Sequence, residues 1–148
     1  MMPQTAPKLT ASQRATLAGL GDVLIPADDT MPSASEAGVA GPLVDAVLRV
    51  RDDLAEGLAA VLDRTEGTDP TDAVEALRSD DPDGFGILTF VVAGGYLMDR
   101  RVGELLGYPG QEAKEVDPHD IVGFVSSGIL DPVIERGPIY RPSPDRKA

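Results

Sequence analysis

An all-α fold follows from three features of the chain. Ala, Leu, Glu, Asp and Arg together make up much of the chain, while strand-favouring aromatics make up only 4%, a balance that leans towards helix. Apolar residues recur at spacings of three and four in several windows, many opened by Ser, Thr or Asp. The 16 Gly and 13 Pro fall between or inside these windows and cut them short. The expectation is a compact single domain of about six short-to-medium helices with an extended C-terminal tail. Its ranges are a flexible arm over 1–8, a helical domain over 9–136 and a proline-rich tail over 137–148. A chain of 148 residues can bury a core, and 42% apolar content is not that of a disordered segment.

Taken in order, Thr10-Ala-Ser-Gln13 is a capping box that opens a helix with Leu17, Leu20 and Leu24 on one stripe. Pro26 stops it. A loop follows with the acidic pair Asp28 and Asp29, and Ser33 with Glu36 forms a second capping box before a short turn of helix. Pro42, in the favoured first position, starts the longest helix, predicted to run to about Arg64. Leu43, Val47, Val50, Leu54, Leu58 and Val61 form its buried stripe. A shorter helix spans Pro70 to Ser79, anchored by Val74 and Leu77.

The stretch from Phe85 to Gln111 carries four of the six aromatic residues, Phe85, Phe90, Tyr96 and Tyr108. That concentration of area marks the centre of the core. Asp81-Pro82 caps its helix, with Phe85, Leu88, Val92 and Tyr96 on one stripe. Gly84, Gly86, Gly94 and Gly95 each cost about 1 kcal/mol of helix preference relative to Ala, so another backbone is expected to pack closely there. A strand over Ile87 to Ala93 is the competing reading, but no second strong strand offers to pair with it. Asp99 caps a brief helix carrying Val102, Leu105 and Leu106. Gly107 ends it, and Tyr108-Pro109-Gly110-Gln111 reads as a type II turn. Asp117-Pro118 then starts a helix through Val125, and Ile129 to Arg136 forms the last one.

The net charge of −12 argues against nucleic acid, which needs clustered Lys and Arg. Residues 45–83 hold 12 Asp/Glu against 4 Arg, a balance of −8. A solvated helix face accounts for this, and an electrostatic docking face for a basic partner is the alternative. The absence of Cys excludes disulfides and thiol nucleophiles. No run has the length to cross a membrane, so no membrane insertion is expected. The N-terminus lacks a secretory pattern, and Arg100-Arg101 is internal, so the expected location is cytoplasmic, or periplasmic if the chain is exported with a partner or its start lies upstream.

No catalytic set assembles from the residue types. His119, the only histidine, sits at a helix start beside Asp117 and Asp120, where a cap position competes with a general-base or metal role. Asp28, Asp29 and Glu36 lack the calcium-loop spacing and read as loop and cap residues. Gly19 with Gly21, and Gly94 with Gly95, do not form a phosphate cradle, and Ser126-Ser127 lacks the nucleophile-elbow context. In the tail, Ile139, Tyr140, Arg141 and Pro142 make an extended apolar, aromatic and cationic segment suited to a partner's groove.

Three segments carry a family resemblance: Val23 to Val39 (VLIPADDTMPSASEAGV), Gly95 to Gln111 (GYLMDRRVGELLGYPGQ) and the ending RGPIYRP. Together they resemble the gluconate 2-dehydrogenase subunit 3 family, over about Leu9 to Pro142. The resemblance implies a small helical accessory subunit, non-catalytic itself, that binds and stabilises a large flavoprotein dehydrogenase of the glucose-methanol-choline type. The large subunit would hold FAD and oxidise a sugar or sugar acid, and a cytochrome c subunit would accept the electrons. No cofactor is expected on this chain. Expected partner-binding residues are Asp28, Asp29, Tyr108, Pro109, Ile139, Tyr140 and Arg141. The alternative is a stand-alone helical module that binds a small ligand around Phe85, Phe90 and Tyr96, and a third reading is an enzyme using His119 and nearby carboxylates.

Overall fold

The computed structural model of the protein describes residues 8–113 and 117–139, and among them every regular element is helical. They form eight α-helices: α1 (Ala11–Leu24), α2 (Val44–Val50), α3 (Ala55–Thr65), α4 (Pro70–Asp80), α5 (Pro82–Met98), α6 (Arg100–Leu105), α7 (Pro118–Ser126) and α8 (Asp131–Arg136). The chain divides into two compact units, Met1–Gly110 and Gln111–Ala148, and the domain expected over 9–136 spans that division.

In the first unit the helix starts follow the local signals. Thr10 Oγ1 accepts from the Gln13 amide at 3.1 Å while Gln13 Oε1 accepts from the Thr10 amide at 2.9 Å, completing the capping box of α1. Asp69, Asp81 and Asp99 cap α4, α5 and α6 through their carboxylates, and Pro70 and Pro82 take the first helical positions. Gly107, at φ 68, ends the turn after α6, with Tyr108 N–H donating to Gly103 O at 2.9 Å.

The long helix predicted from Pro42 to Arg64 is instead broken twice. A π-type turn over Val39–Leu43 contains Pro42 and a non-helical Gly41, and α2 begins only at Val44. Arg51 (φ −122, ψ 62) then ends α2, and a 3₁₀ turn over Asp52–Leu54 leads into α3. Two features hold the break. The Arg51 guanidinium forks onto Asp53 at 2.8 and 2.7 Å and lies 4.9 Å from the centre of the Phe90 ring. Asp52, Asp53 and Glu56 collect in the opening turns that lead into α3, where the helix dipole favours negative charge. The break also turns Val50 outward, 80% exposed, so it leaves the expected buried stripe. Ser33 and Glu36 do exchange their capping bonds, at 2.8 and 3.3 Å, but they close a turn over 34–38 and not a helix.

The core of this unit is organised on α5, which is a helix and not the competing strand. Leu88, Val91 and Val92 are fully buried and meet Leu58 and Leu62 of α3, Val44 and Leu48 of α2, and Leu17 and Leu20 of α1 in one cluster. Gly95 shows why α5 carries glycine: a Cβ there would lie 3.3 Å from Val39 Cγ1, inside the π-type turn. At Gly84 a Cβ would run into the Asp81 carboxylate that caps α5, and would lie 3.0 Å from Val61 Cγ2. The expected close approach is therefore real at these two positions, but side chains make it and not a backbone. Gly86 faces open space. The reverse notch, Gly57 of α3 admitting Ile87 of α5, carries no signal in the sequence pattern.

In the second unit α7 is capped by Asp117, whose carboxylate accepts from the His119 amide at 2.8 Å, and α8 begins at Asp131, two residues later than expected. Two predictions follow from the core. Leu88→Ala, which deletes a fully buried side chain at the centre of the cluster, should lower unfolding free energy by about 2–5 kcal/mol in urea titration. Gly95→Leu overpacks the contact with Val39 and should cost about 1–3 kcal/mol by the same measurement.

Candidate functional site

Two of the three segments singled out by sequence, Val23 to Val39 and Gly95 to Gln111, come together where the loop over 26–43 meets the C-terminal half of α5. Tyr96 is 6% exposed, and its hydroxyl donates to Pro32 O at 2.7 Å across the core. Burial, with the nearby Asp28 and Asp99 charges, pushes the Tyr96 phenol above its ordinary value, so it stays a donor at neutral pH. The loop is fixed from the other side by Asp22 of α1. Its carboxylate accepts from the Ser35 amide at 2.7 Å and from Ser35 Oγ at 2.6 Å. Burial would raise the Asp22 carboxyl, but the hydrogen bonds from Ser35 and Ser33 outweigh it and hold it below the usual range. Arg14 completes the frame, donating to Ala40 O and Gly41 O at 2.9 and 2.8 Å and pairing with Asp45 at 2.6 Å.

Of these anchors, Arg14, Asp22 and Ser35 were not among the residues singled out for function, and Tyr96 was singled out only as part of a ligand pocket. Their partners lie 13 to 64 positions away in the chain, so no local spacing reveals them.

Asp28 and Asp29 sit at the tip of this loop, both exposed. Asp28 Oδ1 accepts from the Thr30 amide, Thr30 Oγ1 and the Met31 amide at 2.7, 2.8 and 2.7 Å, and these bonds hold its carboxyl below the usual range. Asp28 therefore shapes the loop, and Asp29 is presented from it. Glu36 is engaged with Ser33.

The end of α5 and the turn after α6 make the most apolar part of this unit's surface. Leu97, Met98, Leu105, Leu106 and Tyr108 are 49–64% exposed. An open cleft of about 620 Å³ runs between Leu97 and Met98 on one wall and Tyr108, Pro109 and Gly110 on the other, with Arg100 and Glu104 at its rim. Arg100 and Glu104 pair at 2.8 Å. Gly110, at φ 88, has the sign that the third position of the expected type II turn requires. Tyr108 and Pro109 are thus carried together on the turn that follows the short capped helix α6, with Tyr108 63% exposed.

The other expected residues are dispersed. His119 is exposed at the first turn of α7, and among the described residues no group of three or more His, Asp or Glu is placed to hold a metal ion. Ile139 is 72% exposed, while Tyr140 and Arg141 lie outside the described residues. Of the three aromatics in the ligand-pocket reading, Tyr96 faces the core, Phe85 is half-buried, and Phe90 is exposed beneath Arg51. The open cleft at Phe90, about 380 Å³, is lined by Arg51, Leu54, Pro82, Asp83, Gly86 and Ile87, without Phe85 or Tyr96.

The acidic stretch over 45–83 is partly neutralised where it stands. Asp45, Asp53, Glu75 and Asp81 pair with Arg14, Arg51, Arg78 and Arg64. Asp63 accepts from Gln13 Nε2 at 2.8 Å, tying α3 to α1. Comparison with protein-family models, curated proteins and solved structures returns no match.

Two predictions test the frame. Tyr96→Phe leaves the Pro32 carbonyl buried without its donor and should cost about 1–3 kcal/mol in urea titration. Asp22 has a folded-state pKa below its unfolded value, so its contribution is present above pH about 4 and fades as pH falls through the folded value. Asp22→Asn should therefore flatten the acid limb of the stability–pH profile below about pH 5, while leaving its neutral-to-basic limb parallel to the parent.

Proposed function

We propose that this chain is a non-catalytic accessory subunit that binds and stabilises a large FAD-dependent dehydrogenase of the glucose-methanol-choline type, acting on a sugar or sugar acid. The observation that carries the reading is the exposed apolar shelf of Leu97, Met98, Leu105, Leu106 and Tyr108. These side chains sit at the end of α5 and on the capped turn of α6 beside a closed core, which is the arrangement of a prepared contact face. The shelf falls within the Gly95–Gln111 segment that carries the family resemblance. The loop over 26–43, fixed by Asp22 and Tyr96 and presenting Asp29, belongs to a second such segment.

On this reading FAD and the oxidation chemistry belong to the large subunit, and a cytochrome c subunit takes the electrons from it. This chain supplies burial: Tyr108 and Pro109 dock at the centre, Asp29 and the Arg100–Glu104 pair lie at the rim, and Ile139, Tyr140 and Arg141 extend the contact along the tail. Aromatic anchors at a desolvated centre dominate such interfaces, and rim charges set orientation and rate.

Co-expression of the full chain with a glucose-methanol-choline-type dehydrogenase encoded beside it, followed by affinity purification, tests the reading. The two should co-purify, and the large subunit should lose yield or solubility when expressed alone. Tyr108→Ala should weaken the complex by roughly tenfold or more, as expected for an aromatic anchor. A large subunit that is soluble and active alone and never co-purifies would contradict the assignment.

A further inference from the structure

We propose that residues 117–139 form a clip that folds as it docks, seating an acidic-flanked apolar face in a groove rimmed by Lys and Arg on the partner protein. The proposal rests on the accessory-subunit reading for the identity of that partner. Its first support is a contrast in burial. Among the residues whose burial is described, all 21 buried apolar ones belong to Met1–Gly110, and none in 117–139 is buried. Val122, Phe124, Val125, Ile129, Val133 and Ile134 are between 53% and 70% exposed. So dense a run of bare Val, Ile and Phe has no use in a solvated helix.

The second support is length. At 9 and 6 residues, α7 and α8 fall below the 12–15 residues or so at which an isolated helix becomes even marginal in water. Local start signals are present: Asp117 caps α7, and Pro118 and Pro132 stand in the first turns of α7 and α8. What this unit lacks is a core of its own among its described residues. A segment with helix signals but no core of its own gains its order at the moment of binding.

Charge selects the occupant. Across 117–139 there are four carboxylates (Asp117, Asp120, Asp131, Glu135) against Arg136 alone, a balance of −3 with His119 neutral. A second copy would bring the same acidic face, on a chain of net charge −12. A membrane-surface helix needs Lys or Arg on its polar side to meet anionic lipid, and this segment has no Lys. A protein groove with an apolar floor and a basic rim satisfies both the bare side chains and the carboxylates.

Amide hydrogen exchange on the full chain, free and bound to the co-expressed dehydrogenase, tests this. In the free monomer, amides of α7 and α8 should exchange with little protection while those of α5 are strongly protected, and the complex should protect both. Phe124→Asp and Ile134→Asp, both at exposed positions, should keep α5 protection and weaken the complex at least about tenfold each. Raised salt should weaken it further. Protection of α7 and α8 in the free monomer overturns the proposal. So does protection that appears with self-association or on adding phosphatidylglycerol vesicles, which would assign the face to a second copy or to lipid. A complex that forms without protecting α7 and α8, and ignores both variants, overturns the clip and leaves the accessory role standing. If no complex forms, both fall.

Discussion

The packing of α5 is the constraint on which the rest of the first unit depends. Leu88, Val91 and Val92 supply apolar surface on several sides of that helix, so α1, α2, α3 and α4 can all bury their stripes against it. The same helix is notched at Gly95, where Val39 approaches to a distance a Cβ would obstruct, and at Gly84, where the room is taken by the Asp81 cap and Val61. Its helix preference is reduced by those glycines, and tertiary burial more than offsets the loss. At its C-terminal half Tyr96 reaches across to Pro32, so one helix both centres the core and fixes the loop over 26–43.

That loop illustrates how polar groups define a single arrangement where apolar packing alone would permit several. Asp22 holds Ser35, Arg14 holds the carbonyls of Ala40 and Gly41, and Tyr96 holds Pro32. Each bond satisfies a backbone group that helix geometry leaves free, as turns and π-type segments require. The outcome is a loop held in one arrangement, from which Asp29 projects. Rigidity matters for a contact surface, because side chains already held in place lose less entropy on binding.

Much of this was legible in the sequence. The helix starts at Thr10, Asp69, Asp81, Asp99 and Asp117 were readable because a cap is a local device of a few residues. The break at Arg51 was not, because α2 and α3 continue nearly the same apolar spacing across it. Only the exposure of Val50 and the fork onto Asp53 reveal the interruption. Gly95 was recognised as a close approach, but what approaches it, Val39, depends on the tertiary path of the loop. The anchors Arg14 and Asp22 lay beyond sequence reasoning for the same reason. For the site, Tyr108 and Pro109 on a turn were readable from Gly107 and Gly110, whereas the accompanying exposure of Leu97, Met98 and Leu106 was not. A helical stripe shows that a face is apolar; it does not show which apolar faces remain open once the core is full.

Apolar surface in the first unit is thus divided between a closed core around α5 and an open shelf at its end, and the central claim is that the shelf is where a partner sits. A photo-crosslinking residue placed at position 108 of the full chain, co-expressed with the large dehydrogenase subunit, tests this directly, with position 78 on the solvent face of α4 as the reference. The account predicts a crosslinked heterodimer from position 108 and none from position 78. Crosslinking from position 78 alone, or from neither position, would contradict it.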